Sequence, residues 1–291
     1  MTFDIFLDAL IGGLMIGAVY GLVAIGLTMI FGILKIVNFA HGEFMMVGMY
    51  ISYFACTLLG IDPYLSLLFV IPGVFLLGVL VERLLIRPVI DAPQDIQILL
   101  TFGLILVLQN LALLLFSGDW RSLTTPLAFK ILHAGPIHIK WTMVIAFLAS
   151  LLIICLLFLF LKKTDYGKAI RACADDREGA LFVGLNLGRI YYITFGIGAT
   201  LAGVAGALIL PFFATSPTVG LLFTMQAFVI IVLGGLGSVP GALVGGLIVG
   251  VAESLGALFI SGSMKQMITF VLLIVIMCLK PSGLFGQKER V

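Results

Sequence analysis

Hydrophobic residues follow one another along most of the chain, in runs as long as those that cross a bilayer. A transmembrane α-helix needs about 20 apolar residues, because every backbone N–H and C=O must be paired inside the hydrocarbon core. About eight runs have this length, at residues 7–33, 42–60, 64–86, 96–116, 141–161, 190–213, 226–259 and 265–280. The alternation of a β-barrel is absent. The pattern therefore predicts an all-α, polytopic transmembrane bundle that forms a single domain over residues 1–291.

Composition and net charge agree with this interpretation. The chain is 62% hydrophobic and 10% charged, and its mean hydropathy of +1.27 lies far outside the range of ordinary soluble domains. A net charge of only +2 argues against nucleic acid as a partner. The first residues carry Asp4 and Asp8 and no Lys or Arg before Lys35. They lack the basic region of a cleaved signal peptide, so the first helix is expected to remain in the protein.

Basic residues predict which connections face the cytoplasm. They concentrate in a charged segment at residues 162–189 and behind the last apolar run: Lys162, Lys163, Lys168, Arg171, Arg177, Arg189, Lys280, Lys288 and Arg290. Because cytoplasmic connections carry an excess of Lys and Arg, both regions are expected inside. The less basic connection at residues 117–140 is then expected outside.

Two polar, glycine-containing interruptions complicate a simple count of spans. Residues 226–259 are too long for one pass and break at Gly234–Gly241, with the sequence GGLGSVPG. A single pass there would put the basic C-terminus outside, so we expect a broken or re-entrant helix. A similar break, NFAHGE, occurs at Asn38–Glu43. Paired interruptions are typical of transporters near their translocation path; two ordinary turns between helices are the alternative.

Small residues recur every four positions along three of the apolar runs. The three stripes are Gly13, Gly17 and Gly21; Gly198, Ala202 and Gly206; and Ala242, Gly246 and Gly250. In lipid, where van der Waals packing drives helix association, such stripes let helix backbones approach closely. They predict a tightly packed bundle and do not by themselves indicate a site.

Polar side chains at membrane depth are the candidates for a pathway: Asn38, His41, Glu43, Gln109, Asn110, Gln226 and Glu253. Exposing them to lipid is costly, so they should face the bundle interior or a water-filled path. For any one of them a structural hydrogen bond between helices explains the residue equally well. As a group they favour a substrate pathway.

The motifs of enzymes and metal sites are absent from the sequence. The four cysteines are scattered without a CxxC spacing, and no GxSxG or GxxxxGK[ST] sequence occurs. His41 and Glu43 are two residues apart, about 200° around a helix, so they do not form an HExxH-type zinc site. We therefore expect no catalytic residue, no metal site and no cofactor on this chain, and the chain itself should not hydrolyse ATP.

Two long sequences carry a resemblance to a known family. GLTMIFGILKIVNFAHGEFMMVGMY at residues 26–50 and GGLGSVPGALVGGLIVGV at residues 234–251 resemble the two end signatures of branched-chain amino-acid ABC transporter permeases, most closely of the LivH-type subunit. Between them, EGALFVG at residues 178–184 is similar to the EAAxxxG motif by which importer permeases contact their ATPases. Gly179 replaces the middle Ala, and the Ile-x-Leu-Pro part of that motif is not recognisable.

The resemblance implies a multi-pass permease subunit of a bacterial inner membrane. Its expected partners are a second, related permease, two cytoplasmic ATPase subunits that bind ATP and Mg²⁺, and a periplasmic substrate-binding protein. It would import leucine, isoleucine and valine by alternating access. Contact with the ATPases would be made by Glu178, Gly179, Ala180 and Gly184, with Ala180 and Gly184 expected on one helical face.

Three alternatives stay open on the sequence. One is an importer of the same fold for urea, an amide or a sugar, since fold does not fix the substrate. Another is a channel or ion-coupled transporter that uses Glu43 or Glu253 as a proton or sodium site. For the charged segment at residues 162–189, the alternative to ATPase contact is an amphipathic loop at the membrane surface.

Overall fold

Helices account for most of the structure, a computed structural model that describes residues 3–135, 137–259 and 265–286. In chain order the α-helices are α1 (Phe3–Leu34), α2 (His41–Leu59), α3 (Leu67–Val81), α4 (Gln94–Phe116), α5 (Trp141–Lys163), α6 (Asp165–Asp175), α7 (Arg177–Phe182), α8 (Leu187–Ile209), α9 (Val219–Gly234), α10 (Val239–Gly256) and α11 (Lys265–Leu279). A π-helical turn at Glu82–Ile86 and a 3-10 turn at Arg87–Val89 extend α3.

The connection between α4 and α5 contains the strands of the described residues. A 3-10 turn at Pro126–Phe129 precedes a short antiparallel hairpin. Its strands are β1 (Ile131–Ala134) and β2 (Ile137–Lys140), with Ile131 opposite Lys140.

The predicted all-α, polytopic bundle is confirmed. Seven helical segments in the described part of the chain are long and apolar enough to cross a membrane, namely Asp4–Leu34, His41–Leu59, Leu67–Val89, Gln94–Phe116, Trp141–Lys163, Leu187–Ile209 and Val239–Gly256. Two shorter apolar helices lie at Val219–Gly234 and Gln266–Leu279.

Hydrogen bonds between distant segments define the two ends of the bundle. At one end, the outer end, the His138 amide donates to Asp8 Oδ1 at 2.7 Å, and the Arg121 amide donates to Thr215 O at 2.9 Å. At the other, the inner end, Arg177 Nη2 contacts Asp91 Oδ1 at 3.0 Å. The predicted outside connection at 117–140 and the charged segment at 162–189 thus lie at opposite ends.

The long apolar stretch at 226–259 forms two antiparallel helices, α9 and α10, as the broken-helix prediction requires. They join through a tight turn in which Gly235 and Gly237 have φ values of 101° and 83°, a region that favours glycine. Ser238 Oγ then accepts from the Gly241 amide at 3.1 Å and caps α10. Because α10 runs outward, α11 returns the chain to the inner end, where the Leu284 amide donates to Leu233 O at 2.8 Å. Lys288 and Arg290 lie outside the described residues.

The first break leads back into the bundle. After α1 ends, residues 35–40 turn inward, and α2 begins at His41 beside Val23, in the middle of α1. The spatial counterpart of this break is the connection at 210–218, from which α9 begins against the first turn of α2. Since α1 and α8 run in opposite directions, the two broken units, α1–α2 and α8–α9, face each other in inverted orientation. The turn at 234–241, which the sequence pattern pairs with the first break, is instead the end of the α9–α10 hairpin.

The predicted close approach of helices along the glycine stripes is confirmed for α1 and α10. A β-carbon placed on Gly13 would lie 2.8 Å from Gly250 O, and one on Gly17 would lie 2.7 Å from Gly246 O. Neither helix can move away from the other without losing this backbone contact. Any side chain larger than hydrogen at these positions would separate the two helices.

Candidate solute pathway and coupling segment

The break before α2 brings three predicted polar residues into the interior. Asn38, His41 and Glu43 have none of their surface exposed. Asn38 Oδ1 accepts from the Ala40 amide at 3.1 Å and holds the turn. The Nε2 atom of His41 donates to Val23 O at 3.0 Å, since a carbonyl can only accept. Asn38 Nδ2 and His41 Nδ1 have no hydrogen-bond partner among the described residues.

Glu43 links three helices through its carboxylate. Its Oε1 accepts from Gln109 Nε2 of α4 at 2.9 Å. Its Oε2 faces Gly220 of α9, where an added β-carbon would lie 2.6 Å away, and it has no hydrogen-bond partner within the part of the chain that the structure describes. A buried carboxylate oxygen without a partner is costly. This group is therefore a candidate for function as well as for packing.

Thr224 of α9 completes the contact between the two broken units. The Gly42 amide donates to Thr224 Oγ1 at 2.9 Å, and Thr224 Oγ1 donates to Gly220 O at 3.1 Å. The hydroxyl thus satisfies an amide in the first turn of α2 that has no partner in its own helix. Sequence analysis missed Thr224; its only signal was a single hydroxyl within an apolar run.

A second buried polar cluster lies between α1, α9, α10 and α11. Glu253 Oε1 accepts from Gln226 Nε2 at 2.8 Å and from Thr269 Oγ1 at 2.7 Å. Glu253 Oε2 accepts from the Tyr20 hydroxyl at 3.2 Å. Gln226 and Glu253 were predicted as pathway residues, whereas Tyr20 and Thr269 were not. Their side chains look like ordinary amphipathic residues until the fold brings them to the carboxylate.

Asn110 lies apart from both clusters. Its side chain is on the exposed face of α4, and its Nδ2 donates to Leu106 O of the same helix at 2.8 Å. The neighbouring Gln109 points the other way, toward Glu43. Six of the seven predicted pathway residues therefore fall into two clusters, and α9 contacts both.

The charged segment at the inner end consists of α6 and α7, each with a side-chain cap at its N-terminus. Thr164 Oγ1 accepts from the Gly167 amide at 3.0 Å, and Asp176 Oδ1 accepts from the Glu178 amide at 3.0 Å. Gly179 packs on the same Asp176 carboxylate. A β-carbon added at Gly179 would lie 2.6 Å from Asp176 Oδ2. Helix propensity and capping thus account for the local structure.

The expectation that Ala180 and Gly184 share a helical face is wrong, because α7 ends at Phe182. Ala180 is 3% exposed and packs inside its own chain. Gly184 follows the helix with φ of +80°, and its amide donates to Leu181 O at 2.9 Å. Glycine is needed there for the left-handed backbone of a helix C-terminus. The small size of both residues therefore has a reason within the chain.

Three apolar residues form the exposed tip of this segment. Leu181, Phe182 and Val183 are 53%, 90% and 75% exposed. They follow Glu178, which is also exposed. We call residues 181–183 the apolar tip; three adjacent exposed apolar side chains are typical of a surface that a protein partner or the membrane covers.

The described residues offer few groups for thiol or metal chemistry. The four cysteines are free thiols. Cys173 of α6 is buried, and burial raises the pKa of its thiol. Within residues 3–135, 137–259 and 265–286, no three His, Cys, Asp or Glu side chains come together as metal ligands would.

Comparison with known proteins places the chain among membrane permeases. Residues 9–277 match the model of a family described as branched-chain amino acid transport system / permease component. The chain is 36% identical to the high-affinity branched-chain amino acid transport system permease protein LivH of Salmonella typhimurium, over 98% of this chain and 96% of that protein. It is 35% identical to the corresponding protein BraD of Pseudomonas aeruginosa, over 98% and 97%. It is also 35% identical to LivH of Escherichia coli, over 98% and 96%. No solved structure matches the chain.

Proposed function

Because the chain belongs to the family of permease components of branched-chain amino acid transport systems, we propose that it forms part of the membrane path by which leucine, isoleucine and valine enter the cell. This proposal rests on the contact between the first turns of α2 and α9. Both helices begin inside the bundle, and polar groups surround their first turns. Irregular backbone at membrane depth is tolerated where it is buried or lines a cavity, and it lies beside the path in many transporters.

The protein is a multi-pass membrane protein, and we assign it to the bacterial inner membrane. The positive-inside rule orients the bundle: because α6 and α7 carry the basic residues, the inner end is assigned to the cytoplasm. The hairpin of β1 and β2 faces the periplasm.

The proposed partners are a second related permease, two ATPase subunits and a periplasmic binding protein. ATP and Mg²⁺ would bind to the ATPases, and no covalent chemistry would take place on this chain. The apolar tip at residues 181–183 supports an ATPase contact at the inner end, because its side chains lack cover in this chain. We propose that Glu178, Gly179, Ala180 and Gly184 all serve this contact, in two different ways. Glu178 is exposed to a partner, whereas Gly179, Ala180 and Gly184 shape the tip.

A continuous series of contacts leads from α7 to Glu43. Arg177 Nη2 contacts Asp91 Oδ1 in the connection between α3 and α4. Gln97 of α4 donates to the carbonyls of that connection, including Ile90 O at 3.0 Å. Farther along the same helix, Gln109 donates to Glu43. The ion pair is exposed and therefore weak, which suits a contact that forms and breaks during a cycle.

Alternating access would then proceed through the two broken units. Movement of the ATPases would displace α7, and through α4 it would shift α2 against α9. The tight glycine contacts between α1 and α10 keep those two helices together as one body. The solute path would open to one side and then to the other as these bodies move.

Co-purification and uptake test the proposal together. The permease is purified in mild detergent from its native membrane, its partners are identified by mass spectrometry, and the complex is placed in proteoliposomes with ATP. We expect an ATPase and a related permease in the complex, and ATP-dependent uptake of labelled leucine. Uptake that persists without ATP under an ion gradient would overturn the proposal in favour of an ion-coupled transporter. Uptake of urea, an amide or a sugar instead of leucine would overturn the assigned substrate.

A further inference from the structure

A cleft of about 480 Å³ opens between the N-terminal halves of α9 and α11. Its volume lies in the range of roughly 300–1,000 Å³ that small-molecule sites occupy. The cleft adjoins the second polar cluster, because Gln226 and Thr269 contribute to its wall. It is distinct from the break at the start of α2.

The wall of this cleft divides into a polar and an apolar part. Its polar residues are Thr218, Gln226, Gln266 and Thr269, and its apolar residues are Leu221, Leu222, Met225, Val229 and Phe270. None of its described lining residues is Lys, Arg, Asp or Glu. An amphipathic solute with no net charge fits such a wall better than an ion does.

Gln226 is the polar residue best placed to bind a solute. It is 6% exposed, its Nε2 donates to Glu253 Oε1, and its Oε1 has no hydrogen-bond partner in the described chain. The carbonyl oxygen of this amide is thus held at the wall by the bond that its nitrogen makes. An acceptor in this position suits an ammonium group, which can only donate.

Lipid is a poor occupant of the same space. The cleft lies between two apolar helices at membrane depth, yet two amide-bearing and two hydroxyl-bearing residues form part of its wall. The Thr269 hydroxyl and Gln226 Nε2 already donate to Glu253, but Gln226 Oε1 has no partner among the described residues and would stay without one beside hydrocarbon. A polar solute at this wall could supply that partner.

We infer that the α9–α11 cleft is a contact site for the transported solute, which is an α-amino acid with an aliphatic side chain. The Gln226 carbonyl accepts from its ammonium group, and Leu222, Met225 and Val229 pack on its side chain. This inference rests on the proposed function and adds the place in the chain and the chemistry of recognition.

A cysteine reporter in the cleft tests the inference in the assembled transporter. Leu222→Cys is introduced into a chain whose four native cysteines are replaced by serine, and the complex is placed in proteoliposomes with the binding protein outside. Alkylation by a small membrane-impermeant thiol reagent is followed with and without leucine. We expect a measurable rate that leucine lowers about fivefold, as it would if leucine occupied the cleft about four-fifths of the time.

Two further variants separate a solute site from a membrane-facing groove. Leu152 on α5 is 60% exposed and represents an apolar position that faces lipid. Leu152→Cys should therefore not react with the membrane-impermeant reagent. Gln226→Ala in the reporter chain should remove the protection by leucine, measured as the ratio of the alkylation rates without and with leucine. Protection that survives Gln226→Ala would overturn the role of the amide.

The outcomes distinguish this inference from the proposed function. If the cysteine-free complex takes up leucine and the reporter at position 222 is unreactive or unprotected, the cleft is not the contact site and the proposed function stands. If the complex takes up no branched-chain amino acid, the proposed function fails. Protection by a different transported solute would then overturn the aliphatic amino acid as ligand.

Discussion

Gly42 and Gly220 lie in direct contact where the first turn of α2 crosses the first turn of α9. A β-carbon on Gly42 would overlap Gly220 O, and the Gly42 amide donates to Thr224 Oγ1 at 2.9 Å. The two glycines belong to the two broken units and occupy equivalent places in them, each the second residue of its helix. The two broken units thus meet here in a backbone contact with a hydrogen bond beside it.

Alanine at either glycine should separate the two broken units. The neighbouring atom at Gly42 is a backbone carbonyl, which cannot move aside as a side chain can, so Gly42→Ala should cost about 1–3 kcal/mol of stability. We expect a lower unfolding temperature of the purified complex and little uptake.

Gly103→Ala on α4 is the matched control for that substitution. No atom lies within 4 Å of a β-carbon placed on Gly103, and alanine favours a helix by about 1 kcal/mol over glycine. Its unfolding temperature and uptake should equal or exceed those of the wild type. If Gly42→Ala behaved in the same way, the tight crossing would have no role.

Substitution of His41 and Glu43 tests whether the break before α2 has a role in transport besides its role in the fold. Glu43→Gln keeps the volume of the side chain and an acceptor for Gln109, but it replaces the carboxyl oxygen beside Gly220 with an amide nitrogen. His41→Ala removes the bond from His41 Nε2 to Val23 O. We expect uptake to fall about tenfold in each, which corresponds to roughly 1.4 kcal/mol, while the assembled complex stays in the membrane.

The comparison that decides this prediction is uptake per assembled complex. Amounts of permease and ATPase are measured in the same membranes, so that loss of assembly is separated from loss of transport. Wild-type uptake by both variants would remove this turn from the functional residues. Thr57→Ala, which removes a hydroxyl that donates to Tyr53 O of its own helix, is the control and should transport normally.

Sequence patterns predicted the helices well and their relationships less well. Run length and hydropathy depend on local composition, so they located the spans and the division of residues 226–259 into two helices. The pairing of the first break with the connection at 210–218 depends on how α1 and α8 cross. That connection, LPFFATSPT, follows a helix without a polar signature like NFAHGE, and no local pattern marks it as a counterpart.

Side-chain partners show the same limit at the candidate site. Charge and polarity at membrane depth singled out Glu43, Gln109, Gln226 and Glu253, because such residues are costly in lipid. Tyr20 and Thr269 belong to the same network, yet each resembles an ordinary residue of an apolar helix. Their role is visible only in the structure, where each donates a hydrogen bond to Glu253 from a different helix.

The orientation of the bundle can be measured by labelling from each side of the membrane. Thr164 precedes α6 at the inner end, and Ser122 lies in the exposed connection after α4 at the outer end. In a chain without native cysteines, Ser122→Cys should react with an impermeant reagent applied to whole spheroplasts, and Thr164→Cys only after the membrane is opened. Labelling of both positions from outside would contradict the structure, which puts them at opposite ends.

The apolar tip of α7 gives the most direct test of the ATPase contact. Phe182 is 90% exposed and Val183 is 75% exposed, so Phe182→Ser removes an uncovered side chain without disturbing the fold of the segment. Burying a phenylalanine side chain against a partner is worth about 1.5–3 kcal/mol. We therefore expect at least a tenfold loss in ATPase retained on the purified permease, and a matching loss of uptake.

Arginine at Ala180 and at Gly184 should have related effects for different reasons. Ala180→Arg forces a charge into a buried position and should unfold the tip, whereas Gly184→Arg must adopt φ of +80° at a cost of about 1 kcal/mol. Both should reduce ATPase co-purification, and Ala180→Arg should also make the segment sensitive to protease. Lys163→Ala, at the exposed end of α5, is the control and should retain both the ATPase and uptake. If Phe182→Ser and both arginine variants bound the ATPase and transported leucine as the wild type does, the segment would not be the coupling surface.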